Sequence, residues 1–97
     1  MRVYISGKIT GLAEKQWKHN FNRAENKLRY AGYDVVNPIK LPIEVENPTW
    51  RDYMKVDLRE LTKCDKIFML KGWITSKGAW IELIFAKILG LEVILYE

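Results

Sequence analysis

The feature that most constrains this chain is an alternation of short β-type runs with longer helical stripes, completed within 97 residues. Arg2-Val3-Tyr4-Ile5-Ser6 is short, rich in residues that favour strands, and closed by Gly7. From Glu14 to Ala31 the apolar positions are Trp17, Phe21, Ala24, Leu28 and Ala31, spaced by threes and fours as one helical face requires. Gly32 follows where a left-handed cap belongs. Tyr33-Asp34-Val35-Val36 reads as a second strand, stopped by Asn37-Pro38, and Pro42 and Pro48 keep the next stretch in a loop. Thr49 starts a second helix, with Asp52 three residues on as an approximate capping box and a stripe of Trp50, Tyr53, Met54, Leu58 and Leu61. Lys66-Ile67-Phe68-Met69-Leu70 is a third strand. Ser76 is a good N-cap for a very apolar helix running to Leu89 and closed by Gly90, and Glu92 to Tyr96 is the last strand.

Strands separated by helices pair in parallel, and right-handed crossovers leave few arrangements. The pattern predicts an α/β fold of flavodoxin or Rossmann-like type, a three-layer sandwich on a four-stranded parallel sheet in the order 2-1-3-4. Residues 1–97 are expected to form one domain, since two would each be too small to fold alone. Met1-Arg2-Val3-Tyr4 enters the first strand at once, so no signal peptide is expected ahead of it.

Composition removes several function classes. A hydrophobic share of 48% excludes disorder, and no apolar stretch reaches the length of a membrane span. The net charge of +4 comes from sixteen Lys and Arg scattered beside twelve acids, with no run of basic residues longer than two. No nucleic-acid stripe is expected, although a mild positive field suits a small anion. One cysteine and one histidine, far apart, cannot build a zinc site, so no metal and no cofactor is expected. The unpaired Cys64 fits a reducing, cytoplasmic setting.

In a sheet of this order, ligands bind beyond the carboxyl ends of the strands where the order reverses, here between the first and third strands. The residues delivered there are Ser6, Gly7 and the loop to Gly11, then Gly72 to Gly78, with Asn37 and Pro38 beside them. Gly7-Lys8-Ile9-Thr10 lacks the upstream glycine and the Ser or Thr directly after lysine of a phosphate loop, and it is not a dinucleotide fingerprint either.

Two acids break the apolar patterns. Asp57 falls on the buried stripe of the second helix, where a carboxylate is costly unless paired or facing a cavity. Its alternative is a place at the stripe's edge. Glu82 lies in Ala79-Trp80-Ile81-Glu82-Leu83-Ile84-Phe85-Ala86, with Gly78, Ala79, Phe85 and Ala86 as helical neighbours and Lys77 and Lys87 off its face. Its alternative is a place on that helix's one wet face. Two carboxyls in a partly apolar cleft suit displacement at an anomeric carbon, one as nucleophile and one handling protons. Sharing such a cleft should raise the pKa of at least one of them and couple their titrations.

Tyr4-Ile5-Ser6-Gly7 ending a strand, Asp57-Leu58 on a helix, Cys64-Asp65 entering a strand, then Gly72, Ser76, Gly78 and Glu82-Leu83 together resemble the nucleoside 2-deoxyribosyltransferase superfamily, its short members above all. The resemblance implies that Glu82 attacks C1′ of a 2′-deoxynucleoside or its 5′-phosphate and displaces the base. It implies that Tyr4 orients the nucleophile and that Asp57 contacts sugar or base and relays a proton. Ser6, Gly7, Asn37, Gly72, Ser76 and Gly78 are the expected substrate-binding positions. Ser76 stands where the branch hydrolysing 2′-deoxynucleoside 5′-monophosphates has a phosphate-contacting serine and the transferases have an acid, which favours a nucleotide. Lys8 stands where the family usually has proline, Ile84 where it often has glycine, and the segment that larger members lend to a neighbour's site lies beyond the end of this sequence. Those departures leave a second expectation open: a nucleotide- or partner-binding module without turnover.

Four Trp, five Tyr and three Phe are too much for so small an interior. Trp50, Trp73 and Trp80, with Val56, Ile81, Leu83 and Ile84, predict a homodimer or larger homo-oligomer through the helices of Asp57 and Glu82.

Overall fold

The computed structural model describes residues 1–96. Its elements are β1 (Arg2–Ser6), α1 (Glu14–Tyr30), β2 (Asp34–Val36), α2 (Trp50–Leu61), β3 (Lys66–Met69), α3 (Lys77–Ile88) and β4 (Glu92–Leu95). Short 3-10 turns at Pro38–Lys40 and Trp73–Thr75 occupy stretches where the sequence pattern predicts only loop. The four strands form one sheet in the order β2-β1-β3-β4, and every pair is parallel. The expected three-layer α/β architecture is therefore the observed one.

The alternation of side chains along β1 divides the interior. Val3 and Ile5 point to the α1 side, where they pack with Phe21, Ala24, Leu28, Val35 and Phe68. Tyr4 points to the other face, among Leu61, Ile67, Met69, Ala79, Leu83 and Ala86 from the α2 and α3 side. Strands covered on both faces read as continuous apolar runs, as these do.

The caps follow the sequence signals. Thr49 accepts from the Asp52 amide, and the Asp52 carboxylate accepts from the Thr49 amide at 2.9 Å, which fixes where α2 begins. The Ser76 hydroxyl accepts from the Ala79 amide at 3.2 Å and starts α3 directly beyond the sheet edge. Gly7 is needed for a steric reason: a Cβ there would lie 2.8 Å from a Leu70 side-chain carbon. β1 thus leaves the sheet pressed against the strand next to it, and both loops open on the same edge.

Candidate active site

Glu82 occupies the inner face of α3. The small residues Ala79 and Ala86, one turn before and one turn after, are buried and let the helix lie close on β1. Glu82 is only 5% exposed. Both of its carboxylate oxygens are held from β1: Tyr4 Oη donates to Oε2 at 2.5 Å, and Ser6 Oγ donates to Oε1 at 2.6 Å. Residues 4 and 6 share one face of a strand, so a single extended segment delivers both hydroxyls. Tyr4 and Ser6 are themselves completely buried.

The charges in this pocket oppose one another. Burial pushes the Glu82 carboxyl up, the hydrogen bonds from Ser6 and Tyr4 pull it back, the Asp57 charge pushes it up again, and it settles at about 7. Burial alone raises Asp57 to about 7. The Tyr4 phenol is driven well above its usual range by burial and then by the charges of Glu82 and Asp57, so it stays a proton donor throughout the physiological range. Both carboxyls are thus raised well above the ordinary range, and an ionised Asp57 disfavours ionisation of Glu82.

Glu82 and Asp57 open onto a cavity of about 900 Å³. One side is polar and cationic. Lys8 Nζ donates to Thr75 Oγ1 at 3.0 Å, tying the loop after β1 to the entry of α3, and Ser76 and Lys77 stand beside it. Lys77 Nζ also lies 4.7 Å from the centre of the Trp50 ring. The remaining walls are apolar: Trp17 and Phe21 from α1, Pro38, Ile39 and Leu41 after β2, and Trp50, Tyr53 and Met54 from α2. Such a mixture, an apolar chamber with a few convergent polar groups, suits a small molecule carrying a flat ring and an anionic group.

Of the residues expected at a site, Gly7, Asp57, Ser76, Gly78 and Glu82 line this cavity, and Tyr4 and Ser6 stand behind Glu82. Ser6 was expected to face substrate; its hydroxyl is instead spent on the carboxylate. Asn37 is buried with its amide turned to Glu25 and Asn22 of α1, and Gly72 lies outside the lining in a left-handed conformation that starts the Trp73–Thr75 turn. The aromatic lining from Trp17, Phe21, Trp50 and Tyr53 was missed, because in sequence these residues belong to ordinary helical stripes. The place of Trp17, Trp50 and Tyr53 at the starts of their helices, near the strand ends, is the signal that was available; Phe21 lies two turns into α1 and offers none. Among the described residues no group of three or more metal-ligating side chains occurs, and no helix is long and apolar enough to cross a membrane.

Residues 1–95 match the family model described as a domain of unknown function, DUF4406. No curated protein matches the chain. Among solved structures, it is similar to the 2-deoxyribosyltransferase of the psychrotolerant bacterium Bacillus psychrosaccharolyticus, described as a biocatalyst for nucleoside synthesis. That match has 30% identity and a TM-score of 0.73 and covers 98% of this chain and 71% of the other. It is also similar in fold to the Clostridium botulinum CMP N-glycosidase BcmB, with 22% identity, a TM-score of 0.68, and coverage of 98% and 67%.

Proposed function

The chain belongs to the DUF4406 family and to the nucleoside 2-deoxyribosyltransferase superfamily, and from that premise we propose that it cleaves the N-glycosidic bond of a 2′-deoxynucleoside 5′-monophosphate. The observation that carries this reading is the clamp on Glu82, whose two oxygens are fixed by Tyr4 and Ser6 at the floor of a cavity it shares with Asp57. A carboxylate held in this way loses little freedom when it attacks.

In the proposed reaction a Glu82 oxygen bonds to C1′ as the bond from C1′ to the base nitrogen breaks, and its electron pair leaves with the base. Asp57, protonated while Glu82 is ionised, supplies the proton that the departing base takes up. Water or a second base then attacks C1′, its proton passes to Asp57, and Glu82 is released. Tyr4 and Ser6 hold the carboxylate through both steps. The lysines at positions 8 and 77, with Ser76, supply the charge and hydrogen bonds for a 5′-phosphate at the entry of α3, and the apolar walls receive the base. The buried free Cys64 supports a cytoplasmic protein.

The test is incubation with a panel of 2′-deoxynucleoside monophosphates and the matching nucleosides, followed by chromatography for free base. The expected result is base from at least one monophosphate, faster than from its nucleoside, and a loss of at least about a hundredfold in Asp57→Asn, in line with removal of a general acid. If no base appears at high enzyme concentration while nucleotide still binds, the chain is a binding module of this fold and the catalytic reading is wrong.

A further inference from the structure

Away from the Glu82 and Asp57 site, the molecule buries a second acid besides Glu82. Glu25 on α1 is 7% exposed and accepts three hydrogen bonds: from Arg29 Nε at 2.7 Å, Lys40 Nζ at 2.8 Å and Asn37 Nδ2 at 3.0 Å. Two of these donors lie in the segment that follows β2. Asn37 stands before the Pro38–Lys40 turn and caps it, its side-chain oxygen accepting from the Ile39 amide, while Lys40 is the turn's last residue. Arg29 reaches from the same carboxylate to the carbonyl of Val35 at 3.3 Å. One carboxylate therefore ties the end of β2 and both ends of the turn to α1. Between those ties sit Pro38 and Ile39, with Leu41 just beyond, and all three line the cavity.

The sheet order decides which part of a ligand this wall meets. Lys8, Thr75, Ser76 and Lys77 gather where the loops after β1 and β3 meet at the entry of α3, whereas the turn follows β2 on the opposite side of β1. A ligand whose anionic group lies at the entry of α3 presents its other end to Pro38, Ile39 and Leu41.

We infer that Glu25 is a positioning residue that holds the Pro38–Leu41 wall against the base of the bound nucleotide. The inference rests on the nucleotide reading above. Burial would raise the pKa of this carboxyl, but its bonds from Lys40, Asn37 and Arg29 outweigh burial and bring it to about 2, so it stays ionised across the working range. A loop fixed by charge-assisted bonds to a rigid helix keeps one shape before the ligand arrives, which favours binding without touching the reacting atoms.

Two variants test this. Glu25→Gln keeps the shape and removes the charge. Lys40→Met cuts one tie from a side chain that is largely exposed, so it leaves the fold intact even where the first variant weakens it. Each is compared with the unaltered chain for kcat and KM in base release, and for affinity toward a deoxynucleoside monophosphate and toward 2-deoxyribose 5-phosphate, which has no base. The expected result is a rise of about tenfold in KM and Kd for the nucleotide, with kcat and sugar-phosphate affinity changed less than about twofold. A merely structural role would lower the active fraction, reducing apparent kcat with KM unmoved. That result, or equal weakening toward both ligands, or no weakening toward either, overturns the inference alone. An unaltered chain that binds neither ligand overturns the nucleotide reading, and this inference with it.

Discussion

Replacing Glu82 with glutamine should make the protein more stable above neutral pH and leave it nearly unchanged near pH 5. The Glu82 carboxyl stands at about 7 in the folded chain against 4.5 for an ordinary glutamate, with burial as the largest cause. Between those values the folded state keeps a proton that the unfolded chain has released. Stability from this group is therefore whole below about pH 4.5, falls as the pH rises toward 7, and is flat beyond. Moving a carboxyl from 4.5 to about 7 corresponds to about 3 kcal/mol, most of it spent by pH 8. Glutamine has no charge to desolvate. It has one acceptor oxygen where the carboxylate has two, so either Tyr4 or Ser6 must turn its hydroxyl to accept, at a cost of about 1 kcal/mol. The variant should gain about 2 kcal/mol at pH 8, roughly 10 °C in Tm for a domain of this size, and should gain nothing or lose slightly at pH 5.

The assay is thermal unfolding followed by circular dichroism between pH 5 and pH 8.5. The lower bound matters because Glu25, held at about 2 by its three donors against the opposing effect of burial, contributes in the opposite sense. Its stabilisation is present above the ordinary glutamate range and is lost as the pH falls toward 2. Asp57 moves in the same direction as Glu82 and adds to the loss in the unaltered chain as pH rises. A Tm difference between Glu82→Gln and the unaltered chain that is equal at pH 5 and pH 8 would refute the reasoning, because it would mean that no charge is being buried at this position.

Tyr4→Phe and Ser6→Ala each remove one donor that pulls the Glu82 carboxyl down, so the acid limb of kcat/KM for base release should rise by about one pH unit in each. A limb that stays in place in both variants would show that another group sets it. In solution the chain should form a homodimer or larger homo-oligomer, because Trp50, Tyr53, Trp80 and Ile84 of α2 and α3 remain 42–54% exposed. Light scattering at micromolar concentration that gives 11.5 kDa would refute this.

The architecture was legible because every layer of local signal agreed. β-branched runs, helical stripes, the Thr49 and Ser76 caps and the glycine at position 32 all pointed to the same alternation, and crossover handedness left few strand orders, of which the flavodoxin-like one is observed. Glu82 and Asp57 were legible as residues that break an apolar pattern. The roles of their neighbours were less so. Ser6 ends a strand at the ligand edge, and sequence alone cannot tell whether its hydroxyl faces outward to a ligand or inward to a helix 76 positions away. That choice depends on how closely α3 approaches, which Ala79 and Ala86 permit. Asn37 was expected beside the ligand because it follows a strand. It turns instead toward Glu25, a partner twelve residues back on α1, and a pairing of that kind leaves no periodic trace.

The same contrast explains how the molecule treats its two buried acids, Glu25 and Glu82, and the half-buried Asp57. Glu25 has three donors and burial is more than offset, so it is a fixed anion and serves as an anchor. Glu82 has two neutral donors, enough to orient it but too few to offset burial, and Asp57 adds a repulsion that neither hydroxyl removes. A carboxyl fully satisfied by cations is a poor nucleophile, since its electron pairs are already committed and its charge is neutralised. One held only by hydroxyls keeps its charge available to a developing positive centre at C1′, at the cost of a pKa near 7 and of stability above that pH. Position on the sheet makes the difference: Glu25 lies by the edge strand, where exposed Lys40 and Arg29 pair with it, whereas Glu82 sits over central β1, whose Tyr4 and Ser6 hydroxyls supply its hydrogen bonds. In this fold the carboxyl best suited to attack a sugar is the one held by hydroxyls rather than paired with cations.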